Sequence, residues 1–396
     1  MNVTFKTRNK NVLKSTSLFL VATILLSCTP QQSKADDTKS LDSVNETKAA
    51  KKIKIALLLD TSSSMDGLIE QAKSQLWTMV NELSKAKCSD ETKPTLEIAL
   101  YEYGNDRLSA AEGYIQMVTP LTNDLDKISE DLFKLTTNGG SEFCGQVINT
   151  SLKQLDWNAT TDDLQLIFIA GNEPFTQGAV DYRKVCTDAK NKQIVVNTIF
   201  CGDFDSGISQ QWKNGADLTG GSYMSIDQNR KTVFIESPYD DQITKLNSNL
   251  NETYIYYGNK GVEQKEKQLK QDINSETYGK QNTVNRTVSK SSHVYKNSSW
   301  DLVDAKKENV DITKVEKQYL PKELQIMTPE QLKVHVEQKE KQRADINRQI
   351  QELNMKREVF VKERTKEQMG TTQSLDDVMM KAIRQQAKTK SMVFEK

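Results

Sequence analysis

The 396-residue chain carries 54 basic and 54 acidic side chains, so its formal charge cancels. The length gives room for about two domains plus tails, with ample residues for a core. No part is basic enough, or rich enough in aromatic residues on a basic face, for a nucleic-acid partner. A mean hydropathy of −0.65 points instead to much solvated surface or long polar helix. Residues 29–258 carry about −11 and residues 259–396 about +7, so the two halves differ in kind.

At the N-terminus, Lys6, Arg8, Lys10 and Lys14 precede the apolar run Leu18 to Leu26. This is the pattern of a signal peptide, and the run is too short for a stable transmembrane span. Leu25-Leu26-Ser27-Cys28 resembles a bacterial lipobox. The resemblance implies removal of residues 1–27, acylation of Cys28 and anchoring to the membrane of the cell envelope, at the outer membrane or cell surface. Residues 28–52 are polar and read as a disordered tether.

Ile55 to Leu59 are five consecutive aliphatic residues, a strand buried on both faces. It ends in Asp60-Thr61-Ser62-Ser63-Ser64, at the strand end where open α/β sheets hold ligands. Asp60, Ser62 and Ser64 offer one anionic and two neutral oxygens, a set suited to a hard divalent cation. Met65 to Ala86 follows with a 3.6-residue apolar stripe, hence a helix. Thr95 to Tyr103 and Tyr114 to Val118 read as strands, and Leu125 to Leu135 as a helix. Asn138-Gly139-Gly140-Ser141-Glu142 is a loop opening the helix Val147 to Leu155. Leu164 to Ala170 is a second apolar run and so a second central strand, followed by Gly171-Asn172-Glu173-Pro174. A helix at Asp181 to Lys190, a strand at Ile194 to Phe200, a short edge strand at Tyr223 to Ile226 and a helix at Tyr239 to Tyr257 complete the pattern. Alternation of this kind predicts an α/β, doubly wound, mainly parallel sheet flanked by helices.

The D-x-S-x-S run after a buried strand and before a long helix resembles the metal-ion-dependent adhesion site (MIDAS) of von Willebrand factor type A domains, the integrin I-like fold. The resemblance covers residues 53–257. It implies a bound Mg²⁺, or Ca²⁺ or Mn²⁺, held by Asp60, Ser62 and Ser64. Ser141 stands where the family supplies a Thr from its Gly-Gly loop, and Glu142 beside it adds charge. The family's Asp after the second central strand falls on Gly171 here, so Asn172 or Glu173 is the substitute the resemblance implies. Such a site binds a protein partner that presents an acidic group.

Residues 258–320 are rich in Lys, Gln, Asn and Ser and read as a polar linker with one short helix near Val262 to Ile273. Residues 321–396 read as long helices. The first starts at Pro329, with Thr328 as its cap, and runs to about Gln368. Leu332, Ile346, Leu353 and Phe360 keep heptad register, but Lys339, Arg343 and Arg357 interrupt the seam, which favours packing on the domain or a partner over a self-standing coiled coil. Oligomerisation through these helices is the associated expectation. Cys88, Cys144, Cys186 and Cys201 allow three disulfide pairings, of which Cys144–Cys201 at the sheet's upper rim is the candidate; zinc is the alternative. The only histidines, His293 and His335, lie outside the α/β region, so no Ser-His or Cys-His pair points to an enzyme. Two functions follow: an envelope module binding a partner through a cation, or an envelope scaffold with a degenerate metal site.

Overall fold

The computed structural model describes residues 51–157, 162–227, 234–368 and 375–394; Cys28 and the rest of the lipobox lie outside them. Strand β1 (Lys52–Asp60) is the middle of the molecule, buried along all but its first residue. Its side chains alternate between the two faces of the sheet: Ile53, Ile55, Leu57 and Leu59 enter one apolar core, Ala56 and Leu58 the other. A run without polar residues is therefore what a doubly covered strand requires.

Helix α1 (Asp66–Leu83) follows through a single 3-10 turn at Ser63–Met65 and lays Leu68, Ile69, Leu76 and Val80 onto the first face. After the short β2 (Ala86–Cys88), strands β3 (Thr95–Tyr103) and β4 (Ile115–Thr122) lead to α2 (Leu125–Lys134) and α3 (Cys144–Gln154). Then come β5 (Leu164–Gly171), α4 (Tyr182–Asn191), β6 (Ile194–Cys201), α5 (Phe204–Ser209), α6 (Trp212–Asp217) and β7 (Tyr223–Ile226). The main sheet has the order β4-β3-β1-β5-β6-β7, parallel except for the antiparallel edge strand β4. Strand order reverses at β1, so the carboxyl ends of β1, β3 and β5 open one crevice.

Helix α7 (Asp240–Asn251) ends near where the linker was expected, and there the structure departs from the sequence reading. Residues 258–320 are not a linker. They form α8 (Gly261–Thr277), α9 (Lys280–Lys290) and α10 (Leu302–Lys307), and every residue of α9 from Asn282 to Lys290 is buried. Residues 49–396 make one compact unit, with no boundary at 257. The physical reason is that the polar side chains satisfy one another. The Arg286 guanidinium donates to Asp126 Oδ1 at 2.8 Å and to Asp272 Oδ1 at 2.5 Å, and Lys290 Nζ donates to Asp272 Oδ2 at 2.9 Å. Tyr295 Oη donates to Asp126 Oδ2 at 2.6 Å. A buried polar helix costs little when its charged groups and most of its polar ones are paired.

After the short α11 (Lys322–Gln325), α12 (Pro329–Gln368) runs for 40 residues, about 60 Å at 1.5 Å per residue. It begins with a reciprocal cap in which Thr328 Oγ1 accepts from the Gln331 backbone N–H and Gln331 Oε1 accepts from that of Thr328. The helix packs on its own chain, against α7, α9 and α10. Two of the three basic residues that break the heptad seam are its pins: Arg343 donates to Asp301 Oδ2 at 2.6 Å and to the Thr253 carbonyl at 2.7 Å, and Arg357 to Asp240 Oδ1 at 2.8 Å. Helix α13 (Leu375–Lys388) places Met380, Ile383 and Ala387 in the first core, and β8 (Met392–Phe394) pairs antiparallel with β2. Among the described residues, no helix is long and apolar enough to cross a membrane.

The expected Cys144–Cys201 disulfide is absent, and all four described cysteines are free thiols. Cys144 belongs to the core on one face of the sheet and Cys201 to the core on the other, so the sheet itself separates them. The same separation, with Cys88 on the first face and Cys186 on the second, removes the zinc alternative. Burial pushes the thiols of Cys144 and Cys201 well up and that of Cys186 up to about 12. These are inert core residues.

Candidate functional site

The chain leaves β1 with Asp60 fully buried. Asp60 Oδ1 accepts from the Ser62 backbone N–H at 2.7 Å, which turns the next residues across the strand end. The Ser62 and Ser64 hydroxyls lie 3.1 Å apart, and neither the 3-10 turn nor α1 is capped by a side chain. The serines are therefore not ordinary helix caps.

Backbone bonds draw the glycine loop alongside this turn. The Ser63 N–H donates to the Gly139 carbonyl at 2.5 Å, the Asn138 N–H to the Thr61 carbonyl at 2.9 Å, and the Gly139 N–H to Ser63 Oγ at 2.9 Å. Three residues after Gly139, Glu142 turns inward and is 3% exposed, with its own N–H donating to Gln177 Oε1 at 3.0 Å. Its side chain lies beside Asp60, since one point next to Gly104 is 2.7 Å from both Glu142 Cγ and Asp60 Oδ1. Asp60 Oδ2 and Glu142 Oε2 are both buried without a hydrogen-bond partner. Burial, and then the neighbouring Glu142 carboxylate, push Asp60 well above the ordinary carboxylate range. Burial raises Glu142 as well, opposed in part by Asp60 and the Ser62 hydroxyl, while Glu173 acts both ways, its carboxylate raising and its backbone N–H lowering.

Toward solvent hydroxyl and amide groups take over, with Glu173 the one acid among them. Ser64 is exposed, and Ser141, Asn172 and Glu173 are half-buried. Asn172 Nδ2 donates to Ser64 Oγ at 3.1 Å, closing the rim between β1 and β5. Glu173 is held by its backbone, whose carbonyl accepts from Trp212 Nε1 at 2.8 Å. Ser141 sits in the glycine loop and is not the cap of α3, which starts three residues later with Phe143 as its N-cap.

The donor set is made of oxygens: two buried carboxylates at the base, and hydroxyl and amide oxygens with the Glu173 carboxylate above. Among the described residues, no group of three or more His, Cys, Asp or Glu side chains is placed to hold a metal ion by itself. A soft thiolate or imidazole site is thus not built, whereas an oxygen set fits Mg²⁺, Ca²⁺ or Mn²⁺. The fit rests on the two orphaned oxygens, since adjacent buried carboxylates need a positive charge or a proton between them.

Two residues were missed in the sequence. Tyr103 carries its hydroxyl into the β5 corner, donating to the Ala170 carbonyl at 2.9 Å. Gly104 has φ +78°, and a Cβ there would lie 2.7 Å from both Asp60 Oδ1 and Glu142 Cγ. The Gly104-Asn105 turn after an alternating strand marks the position in the sequence, but not what approaches it.

No protein-family model and no curated protein sequence matches the chain, but solved structures do. They include von Willebrand factor type A domains. The VWA domain of SpRpn10 is 14% identical, with a TM-score of 0.34 over 46% of this chain and 91% of that one. A von Willebrand factor type A structure from Catenulispora acidiphila is 12% identical, with a TM-score of 0.33 over 45% of this chain and 39% of its own. Proximal thread matrix protein 1 from the mussel byssus, with a zinc-occupied MIDAS motif, is 13% identical, with a TM-score of 0.34 over 46% of this chain and 43% of that one.

Proposed function

We propose that the protein is an exported, lipid-anchored module of the cell envelope that grips an acidic group of a partner protein through a divalent cation. One observation carries the reading: two buried carboxylates, each with an unpartnered oxygen, lie beneath a mouth of hydroxyl groups. Asp60, Ser62 and Ser64 would hold the ion, with Ser141, Glu142, Asn172 and Glu173 around it. A bound Mg²⁺, Ca²⁺ or Mn²⁺ would supply an electrophilic centre with a position open to an outside carboxylate. The protein's own groups bind and orient: Asp60 is fixed by the Ser62 N–H, and Asn172 holds Ser64 at the rim. Anchoring rests on the lipobox at Cys28. Self-association would use the outward side of α12, where Val334, Met355 and Val359 are exposed.

A scaffold reading is favoured by Gly171, which leaves β5 without the carboxylate of the type A pattern. Calorimetric titration with Mg²⁺, Ca²⁺ and Mn²⁺ separates the two. Uptake of an ion, and Mg²⁺-dependent retention of envelope proteins on the immobilised chain that Asp60→Ala abolishes, are the expected results. Retention undiminished by excess EDTA overturns the binding reading, and a folded chain that takes up no ion favours the scaffold.

A further inference from the structure

We infer that Glu142, carried by the glycine loop before α3, supplies the second anionic ligand of the cation centre in place of the carboxylate missing from the end of β5. The inference rests on the cation reading above and assigns a role within that site. It starts from the space around Gly171. A Cβ at that position would fall 2.5 Å from Tyr103 Oη and 3.2 Å from Asp60 Oδ2. Tyr103 is fully buried and its hydroxyl is tied to the Ala170 carbonyl, so it does not swing away. Position 171 is closed to any side chain, an aspartate included.

The charge comes from the opposite side. Glycines clear its path: a Cβ at Gly140 would lie 1.8 Å from the Gly104 carbonyl oxygen, and one at Gly104 would strike both Asp60 and Glu142. Backbone on backbone contact between these two turns lets the Glu142 carboxyl reach Asp60. The other acid at the rim is less suited. Glu173 is half-buried: its carboxylate adds negative charge near Glu142 and its backbone N–H points toward Glu142, but its own oxygens are not among the buried, unpartnered ones. Asn172 has no charge, and its amide is engaged with Ser64. Only Glu142 brings a second carboxylate oxygen that is buried, unpartnered and beside Asp60.

The test uses the full chain with Mn²⁺ as the probe, its binding followed by electron paramagnetic resonance and by the shift of the thermal midpoint. Wild type should bind the ion, and Glu142→Gln should weaken it at least ~10-fold, the scale on which even supporting groups act at metal sites. In EDTA, Glu142→Gln should melt no lower than wild type, because one buried charge is gone. Glu142→Gln with wild-type affinity overturns the inference and leaves the cation reading standing, with the pair sharing a proton instead. Glu173→Gln weakening binding more than Glu142→Gln overturns it in favour of the β5 loop. A wild-type chain that binds no Mn²⁺ overturns the cation reading itself and this role with it.

Discussion

Two pairs of buried carboxylates among the described residues are treated in opposite ways. Beneath α8 and α9, Asp126 and Asp272 meet the Arg286 guanidinium, Lys290 and the Tyr295 hydroxyl. Opposite charges hold Asp272 well below the ordinary carboxylate range despite its burial. At the sheet's rim, Asp60 and Glu142 have backbone and hydroxyl donors but no basic side chain bridging them among the described ion pairs, and both are pushed up. The inner pair carries its counter-charge in the chain and makes a permanent joint between helices. The rim pair lies beside open hydroxyls, where a counter-charge can arrive from solution. Two carboxylates read the same in a sequence; what surrounds them separates a joint from a receptor.

The comparison breaks most directly at Arg286. Its removal by Arg286→Ala leaves Asp126 and Asp272 buried with too little positive charge, and should cost about 3–5 kcal/mol in urea unfolding. A loss under 1 kcal/mol would mean that the joint is not charge-balanced as drawn. Asp272 sharpens the same side through pH. Its folded value lies below its unfolded one of about 3.9, so its stabilisation is complete above that pH and is lost as pH falls toward the folded value. Asp272→Asn should therefore lower stability at pH 7 by roughly 1.5–3 kcal/mol, with the gap to wild type narrowing below about pH 4. A gap independent of pH would show that the ionised form is not what matters. On the rim side, Gly171→Asp restores the type A pattern on paper, but the new side chain meets Tyr103 and Asp60. It should cost about 1–3 kcal/mol by overpacking and bring no gain in Mn²⁺ affinity. A stable, tighter-binding variant would show that the corner opens.

Much of the fold was legible because the deciding signals are local. Ile55 to Leu59 is an unbroken apolar run and Leu164 to Ala170 is apolar but for Gln165, and both are central strands of the sheet. The start of α12 was legible in Thr328 and Pro329 because a cap is made by residues three apart. The linker reading at 258–320 failed because composition counts polar residues as solvated, while Arg286 finds Asp126 from 160 positions away. The disulfide failed for a related reason: two cysteines near one rim lie on opposite faces, and a face is set by strand register and helix placement together.

The D-x-S-x-S turn divides along the same line. By itself the sequence determined that an aspartate and two hydroxyls leave a buried strand at the ligand-binding edge of an α/β sheet, because apolar runs and turn residues act over a few positions. Only the tertiary structure decided which second acid joins Asp60. Gly171 is closed by a tyrosine on β3, and Glu142 is admitted by glycines on two different loops. Those are facts of space between segments far apart in the chain, and steric room has no signature in any one of them.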